Sequence, residues 1–112
     1  LKVPGMKFGI HKAMIYCGVK SGVLGLTRSA AVDFGPRGIR VNAVAPGSVP
    51  TEGVGVNVDA AMVEKRIAKT PMRRLGTVED IASAVCYLAS AESAWVTGEC
   101  LKVDGGVTHA FL

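Results

Sequence analysis

The spacing of apolar and polar positions predicts a helix early in the chain. Between Ala13 and Phe34, apolar residues recur at steps of three and four, which is the period of one helix face. That predicted face consists of Val19, Val23, Leu26, Ala30 and Phe34. A second face carries Gly18, Gly22 and Gly25. Each interior glycine costs a helix about 1 kcal/mol relative to alanine, so we expect another element to pack closely against them.

Two later segments are predicted as buried strands. One spans residues 39–45 and ends at Pro46-Gly47, and the other spans residues 96–103 and ends at the turn Asp104-Gly105-Gly106. Helices separate the two, so the strands are expected to pair in parallel. Two parallel strands alone leave a face and an edge uncovered. We therefore interpret the chain as half of an α/β domain that needs more sheet.

The connection between the strands is predicted to contain a loop and two helices. The stretch from Ser48 to Val58 has no helical period and is interpreted as a long loop. Asp59 is expected to cap a short amphipathic helix, and Thr77 a longer one. The apolar face predicted for the longer helix consists of Val78, Ile81, Ala82, Val85, Leu88 and Ala89.

The composition supports an α/β protein and argues against some classes of binding partner. The 112-residue chain is 49% hydrophobic, with 14 glycines and a formal net charge of +4. No acidic residue precedes Asp33, so the first stretch is basic. A solvated basic edge explains this better than a nucleic-acid surface, because no Lys/Arg cluster is interleaved with aromatic residues. No apolar run is long enough to span a membrane. We expect neither a nucleic-acid nor a membrane partner.

The cysteines and histidines do not suggest a metal site. Cys17, Cys86 and Cys100 are odd in number and widely spaced, and His11 and His109 stand alone. These spacings do not match those of zinc ligands. We expect three free thiols, no metal, and a location in the reducing cytoplasm.

Tyr16 and Lys20 are the candidate catalytic residues. They lie four residues apart and therefore share one face of the predicted helix. A free phenol has a pKa near 10 and is a poor base at neutral pH, but a nearby ammonium favours its ionised form. Such a tyrosine can donate a proton to a developing alkoxide or accept one from an alcohol. The spacing alone is weak evidence, because many helices contain it by chance.

Five segments of the chain, the first of which contains that pair, resemble the short-chain dehydrogenase/reductase family in order and spacing. They are Tyr16-Cys17-Gly18-Val19-Lys20-Ser21-Gly22-Val23 (catalytic helix), residues 38–47 (sixth strand and Pro-Gly turn), residues 46–51 (the continuation with Val49 and Thr51), residues 74–82 (start of the penultimate helix), and residues 96–99 with 103–106 (last strand and closing turn). The resemblance covers about Ile15 to Gly106. It implies the C-terminal half of a Rossmann-like doubly wound parallel sheet, two strands with flanking helices.

The resemblance also implies an activity. It suggests an NAD(P)-dependent oxidoreductase that interconverts a carbonyl and an alcohol, acting on a small molecule. Tyr16 is then the general acid/base, and Lys20 favours the ionised phenol and holds the nicotinamide ribose. Family members commonly form dimers or tetramers through helices like the one bearing Tyr16, so a homo-oligomer is expected.

The cofactor-binding residues implied by the resemblance follow the first strand. Pro46 and Gly47 shape the backbone against the nicotinamide ring, where a glycine allows close approach. Val49 and Thr51 bond the carboxamide or the pyrophosphate through backbone and hydroxyl groups. Tyr16 and Lys20 complete the set. The choice between NAD and NADP stays open, as does the substrate. Arg40 and Asn42 are interpreted as structural residues that tie the strand to a loop.

Two parts of the family pattern have no counterpart in the sequence. A Gly-rich Thr-Gly-x-x-x-Gly-x-Gly turn, which places a pyrophosphate at a helix N-terminus, does not occur. No serine precedes Tyr16, although the family uses one to polarise the substrate carbonyl. Either an insertion around residues 4–12 displaces that serine beyond Leu1, or it is absent. Residues 1–112 are thus interpreted as a partial NAD(P)-binding domain without its nucleotide-binding half. The alternative is a non-catalytic remnant or interaction subunit that keeps the association surfaces.

The missing parts generate a first prediction. The isolated 112-residue chain is expected to lack appreciable hydride transfer with carbonyl substrates, because it has neither the nucleotide turn nor the serine. The measurement is the loss of NAD(P)H absorbance, with a complete family member as positive control. Turnover at a rate typical of enzymes would contradict the expectation.

Overall fold

The order of helices and strands is the one that the sequence predicts. The computed structural model describes residues 13–50 and 59–110. Its elements are α1 (Met14–Phe34), β1 (Ala43–Pro46), α2 (Ala60–Lys69), α3 (Val78–Ala89) and β2 (Cys100–Val103), with short 3₁₀ turns at Gly35–Arg37 and Ala91–Ser93. The chain is therefore an α/β unit in which both strands are followed by turns and separated by two helices.

The two strands pair in parallel, as predicted. Ala43 lies opposite Cys100 and Pro46 opposite Val103. Ala45, in the middle of β1, is fully buried. In the described part of the chain each strand has this one partner, so the other edge of each strand is unpaired. Because parallel strands are normally covered on both sides, this arrangement is what a portion of a larger sheet is expected to show.

Both strands are shorter than predicted. The first was expected from Ile39, but that side chain is 46% exposed and β1 begins only at Ala43. Gly98 adopts φ +77°, which extended strands exclude, so regular pairing begins two residues later at Cys100. In the first stretch Ile39 and Val41 alternate with polar residues as in a strand, which hid the true start of β1, whereas Gly98 was a sequence signal against regular pairing before Cys100.

Before the strands pair regularly, side-chain hydrogen bonds join the two segments in addition to the backbone bond from the Gly98 N–H to the Val41 carbonyl (2.7 Å). The Asn42 amide donates to the Val96 carbonyl (2.8 Å) and accepts from the Glu99 N–H (3.1 Å). The Arg40 guanidinium donates to the carbonyls of Ser90 (3.1 Å) and Val96 (3.3 Å). The prediction that these two residues tie the strand to a loop is confirmed.

The helix α1 starts and ends where the sequence indicates, but a different face is buried. Its buried residues are Thr27 and Ala31, and the Ala31 methyl lies 3.5 Å from the position that a Cβ on Gly98 would occupy. The predicted apolar face is not covered by the described residues, because Leu26 is 71% exposed and Val19 is exposed too. Gly98, which precedes β2, lies beside Ala31 on the covered side of the helix.

The glycine face of α1 is open within the described residues. No described atom lies within 4 Å of a Cβ built on Gly18, Gly22 or Gly25. No described element therefore supplies the close packing expected there, and that packing stays a prediction.

The two connecting helices begin at the predicted caps. The Asp59 carboxylate accepts from the Ala61 N–H, at 3.2 Å. Thr77 and Asp80 form a reciprocal capping box: the Thr77 hydroxyl oxygen accepts from the Asp80 N–H (3.2 Å), and the Asp80 carboxylate accepts from the Thr77 N–H (2.8 Å). The first turn of α3 therefore has two of its free amides satisfied.

The apolar face predicted for α3 is only partly covered. Ile81 and Leu88 are half-buried, whereas Val78 and Val85 are exposed. The contacts of α3 are with β1, β2 and the 3₁₀ turn that follows it. Those elements reach one edge of the predicted face and leave the rest open.

The described part of the chain has a very small core. Its buried apolar residues are Ala31 and Ala45, while Trp95 is 99% exposed. Small folds are stabilised mainly by buried apolar area. The small buried area of the described residues is therefore consistent with a unit that is completed by further structure. Among the described residues, no helix is both long and apolar enough to cross a membrane.

The capping box yields a stability prediction. Thr77→Ala removes the hydroxyl that accepts the Asp80 N–H, so the free energy of unfolding is expected to fall by about 1 kcal/mol. Urea denaturation of the full-length gene product measures the change. Ser83→Ala, at an exposed position in the same helix, is the matched control and is expected to be neutral or slightly stabilising. Equal losses in both variants would refute a capping role for Thr77.

Candidate active site

Tyr16 and Lys20 lie together on the first turns of α1. The Lys20 Nζ is 5.7 Å from the centroid of the Tyr16 ring. Tyr16 is 40% exposed as a whole residue. The helix produces this arrangement directly, because side chains four residues apart stack on one face. The predicted juxtaposition of a phenol and an ammonium is therefore present.

The Pro46-Gly47 turn lies at the carboxyl end of β1 and packs against the end of β2. The Gly47 N–H donates to the Val103 carbonyl, at 2.9 Å, which extends the parallel pairing by one bond. A Cβ on Gly47 would lie 2.7 Å from the Cα of Asp104 and 3.1 Å from its carbonyl oxygen. These neighbours are backbone atoms that cannot rotate away, so any side chain at position 47 would push the two strand ends apart.

Asp104 organises the turn against which Gly47 packs. Its carboxylate accepts from the Thr108 hydroxyl (2.7 Å), the Gly106 N–H (2.9 Å) and the Thr108 N–H (3.0 Å). Partial burial raises the pKa of this carboxyl, but these hydrogen bonds outweigh it and the net pKa is lowered. Asp104 is thus ionised and holds the residues after β2 in a fixed turn.

The residues that follow Gly47 are held by a neighbouring loop. The Gly76 N–H donates to the Ser48 carbonyl, at 3.0 Å, and a Cβ on Gly76 would lie 3.0 Å from the Val49 Cγ2. Val49, a predicted cofactor-binding residue, is half-buried in this contact. Thr51, the other one predicted beyond the turn, lies outside the described residues.

An open cleft of about 600 Å³ lies beside the Pro-Gly turn. It is bordered by Gly47 and Ser48, by the turn after β2, and by the connection between α2 and α3. Tyr16 and Lys20 do not line it. The described structure therefore brings the predicted residues into two groups, the pair on α1 and the turn after β1.

The sequence analysis missed the residues that brace the turn. Asp104 was interpreted only as part of a turn, whereas its carboxylate accepts three hydrogen bonds. A signal existed, since Asp followed by Gly-Gly and a hydroxyl residue four positions on is a common pattern for a side chain that bonds the next backbone amides. The contact of Gly76 with Val49 has no sequence signal, because 27 residues separate the two.

No group of three or more metal-ligating side chains is gathered in the part of the chain that the structure describes. Cys17, Cys86 and Cys100 are free thiols.

Comparisons with known proteins decide the family. A family model described as enoyl-(acyl carrier protein) reductase matches residues 3–108. A crystal structure described as a short-chain alcohol dehydrogenase from Sinorhizobium meliloti superimposes with a TM-score of 0.83 at 37% identity, over 94% of this chain and 42% of that one. The chain belongs to the short-chain dehydrogenase/reductase family. Its two parallel strands and helices are a portion of that family's Rossmann-like fold.

The curated relatives are considerably longer than this chain. The chain is 44% identical over 105 residues to 2-(S)-hydroxypropyl-CoM dehydrogenase 3 from Xanthobacter autotrophicus, covering 89% of this chain and 41% of that protein. It is 42% identical over 105 residues to a protein named inactive 2-(S)-hydroxypropyl-CoM dehydrogenase 2 from the same organism, covering 89% of this chain and 46% of that protein. The chain thus spans less than half the length of these members of the short-chain dehydrogenase/reductase family.

The close contact at Gly47 yields a second stability prediction. Gly47→Ala places a methyl group 2.7 Å from the Asp104 Cα, so the free energy of unfolding is expected to fall by about 1–3 kcal/mol. Gly35→Ala is the matched control: nothing lies within 4 Å of its Cβ position and its φ is −52°, so we expect no loss. Urea denaturation of the full-length gene product measures both. If Gly47→Ala were as stable as Gly35→Ala, the packing described for the turn would be wrong.

Proposed function

We propose that the full-length gene product is an NAD(P)-dependent oxidoreductase that interconverts a carbonyl and an alcohol on a small molecule. The observation that carries the proposal is the Tyr16–Lys20 pair, whose ammonium lies 5.7 Å from the phenol ring centroid in a chain of this family. The relatives named as dehydrogenases support the same reaction type.

Proton transfer in the proposed reaction is assigned to Tyr16. In the reducing direction its Oη–H bond breaks, and the proton passes to the substrate oxygen as that oxygen gains negative charge. The Lys20 ammonium stabilises the phenolate that remains. In the oxidising direction the Tyr16 phenolate accepts the proton of the alcohol. The bound nicotinamide cofactor supplies or accepts the hydride.

The residues after β1 suit a nicotinamide cofactor. Ligands of open parallel sheets bind outside the carboxyl ends of the strands, and Pro46-Gly47 occupies that place on β1. Position 47 is restricted to glycine by Asp104, whose backbone fills the space that a Cβ would take, and this close packing fixes the backbone at the end of β1. Pro46 and Gly47 are proposed to face the nicotinamide, and Lys20 to bond its ribose.

The polar end of the nicotinamide needs further partners. Val49, through its backbone, and Thr51, through its hydroxyl, are proposed to bond the carboxamide or the pyrophosphate. NAD and NADP suit these residues equally. The proposal treats residues 1–112 as one part of an NAD(P)-binding domain, which by itself does not complete the reaction, in a cytoplasmic enzyme that forms homo-oligomers.

A second candidate function is a non-catalytic subunit that keeps the association surfaces of the fold. The exposed apolar side chains of α1, Val19, Val23 and Leu26, favour it, because large uncovered apolar patches often mark interfaces. One of the relatives is also named as an inactive dehydrogenase. The two functions differ in one respect: only the enzyme depends on the phenol of Tyr16.

Tyr16→Phe tests the proposal. It removes the transferable proton but keeps the ring, so kcat is expected to fall by about 10²–10⁴-fold. Cofactor affinity, measured by NAD(P)H fluorescence, is expected to change little. Steady-state assays of the full-length gene product against a panel of ketones, aldehydes and secondary alcohols provide kcat.

Tyr87→Phe is the matched control. It removes the same hydroxyl from a residue of similar exposure, 41%, on α3. We expect its kcat to equal that of the unmodified protein. Turnover that survives Tyr16→Phe would overturn the catalytic assignment, and a full-length protein that neither binds NAD(P)H nor turns over would leave the association role as the better proposal.

A further inference from the structure

The loop that precedes α3 fixes the backbone next to the proposed nicotinamide site. The Gly76 N–H donates to the Ser48 carbonyl, at 3.0 Å, and the Gly76 Cα faces the Val49 side chain with no room for a Cβ without a shift. Gly47, Ser48 and Val49 are therefore held from two directions: by the end of β2 on one side and by Gly76 on the other.

Gly76 is itself held by a carboxylate. The Arg74 guanidinium donates to both oxygens of Asp80, at 2.6 Å and 3.0 Å, in a bidentate pair. The same Asp80 carboxylate accepts the Thr77 N–H at 2.8 Å, and one of its oxygens lies 3.8 Å from the Cβ position of Gly76. The Asp80 carboxylate thus binds both Arg74 and Thr77, and Gly76 lies in the chain between these two residues.

The charge state of this pair is stable. Hydrogen bonds from Arg74 and from the Thr77 backbone hold the pKa of Asp80 well below the usual carboxyl range. It is therefore ionised throughout the physiological pH range. Within the described residues it forms the one ion pair, and Arg74 is about half exposed.

The main effect of the Arg74–Asp80 ion pair is on the geometry of the loop, not on stability. Exposed ion pairs contribute little to stability, because solvent screens them. A bidentate guanidinium–carboxylate contact nevertheless fixes the relative orientation of both groups. The pair is thus better suited to holding a loop in place than to stabilising the whole fold.

We propose that Arg74 and Asp80 are positioning residues for the nicotinamide end of the cofactor, and that they act through Gly76 on Ser48 and Val49. Both residues border the cleft beside Gly47, and in this scheme they act through the backbone of the loop rather than by contact with the nicotinamide. The inference rests on the proposed function, since it requires a nicotinamide beside Val49.

The test compares two ligands that share one half. NAD(P)H contains the nicotinamide and the pyrophosphate, whereas AMP or its 2′-phosphate lacks both. Asp80→Asn in the full-length gene product removes the charge of the pair, so NAD(P)H is expected to bind about tenfold more weakly because its partners are misplaced. AMP is expected to bind within about twofold of its original affinity, because it contains neither of the groups that Val49 is proposed to bond. Isothermal titration calorimetry gives both dissociation constants.

Glu79→Gln is the matched control. Glu79 is the adjacent carboxylate in the first turn of α3, is exposed, and has no ion-pair partner among the described residues. Its removal is expected to leave both affinities unchanged. Arg74→Gln is expected to act like Asp80→Asn, and the double variant is expected to be no worse than either single one, since both remove one interaction.

A second variant disturbs the same contact from the other side. Gly76→Ala keeps Arg74 and Asp80 but adds a methyl group 3.0 Å from the Val49 Cγ2. The same selective loss of NAD(P)H affinity is expected. Because Gly76→Ala leaves the charge at position 80 unchanged, a loss in this variant cannot be an effect of the altered charge.

The outcomes separate this inference from the proposed function. Equal weakening of both ligands, or unchanged NAD(P)H affinity in Asp80→Asn and Gly76→Ala, would overturn the positioning role while Tyr16-dependent turnover still supports the enzyme. Failure of the unmodified protein to bind NAD(P)H would overturn both. Selective loss in these variants, with Glu79→Gln unchanged, supports the inference.

Discussion

The parallel pairing of β1 with β2 is the constraint on which the site depends. Its register places Pro46 opposite Val103, so the next residues of the two strands, Gly47 and Asp104, meet at the same sheet edge. That contact is so close that a side chain at position 47 would collide with backbone. A shift of one residue would turn every side chain of the strand to the other face and would separate this contact. Strand register thus places the backbone proposed to face the nicotinamide, and the same register requires glycine at position 47.

Around that contact, short polar interactions fix the local geometry. Asp104 ties the turn after β2 together, Asn42 joins the strands before their regular pairing, and the Thr77–Asp80 box starts α3. Few apolar residues are buried among those described, and α1 leaves its apolar face uncovered. The local geometry of the turn is therefore well defined, although most of the apolar surface around it is exposed among the described residues. This agrees with a chain that spans under half the length of its relatives.

Much of the fold could be predicted because its signals are local. The helical period, the caps at Asp59 and Thr77, and the Pro-Gly turn each involve residues within a few positions of one another, and the structure confirms them. The predicted strand start at Ile39 was wrong. Where regular pairing begins depends on the partner segment, and apolar spacing carries no such information: Gly98, with φ +77°, interrupts the extended backbone just before β2.

The sequence by itself determined the proton-transfer candidates, since a helix always brings residues four apart onto one face. It also indicated the family, through short motifs whose order and spacing survive without a structure. Only the tertiary structure decided what supports the turn after β1. Gly47 meets Asp104, and Gly76 meets Ser48 and Val49, across separations of 57 and of 27 or 28 residues. Such contacts form when segments that are distant in the sequence pack together in the fold, and no pattern within a single segment encodes them.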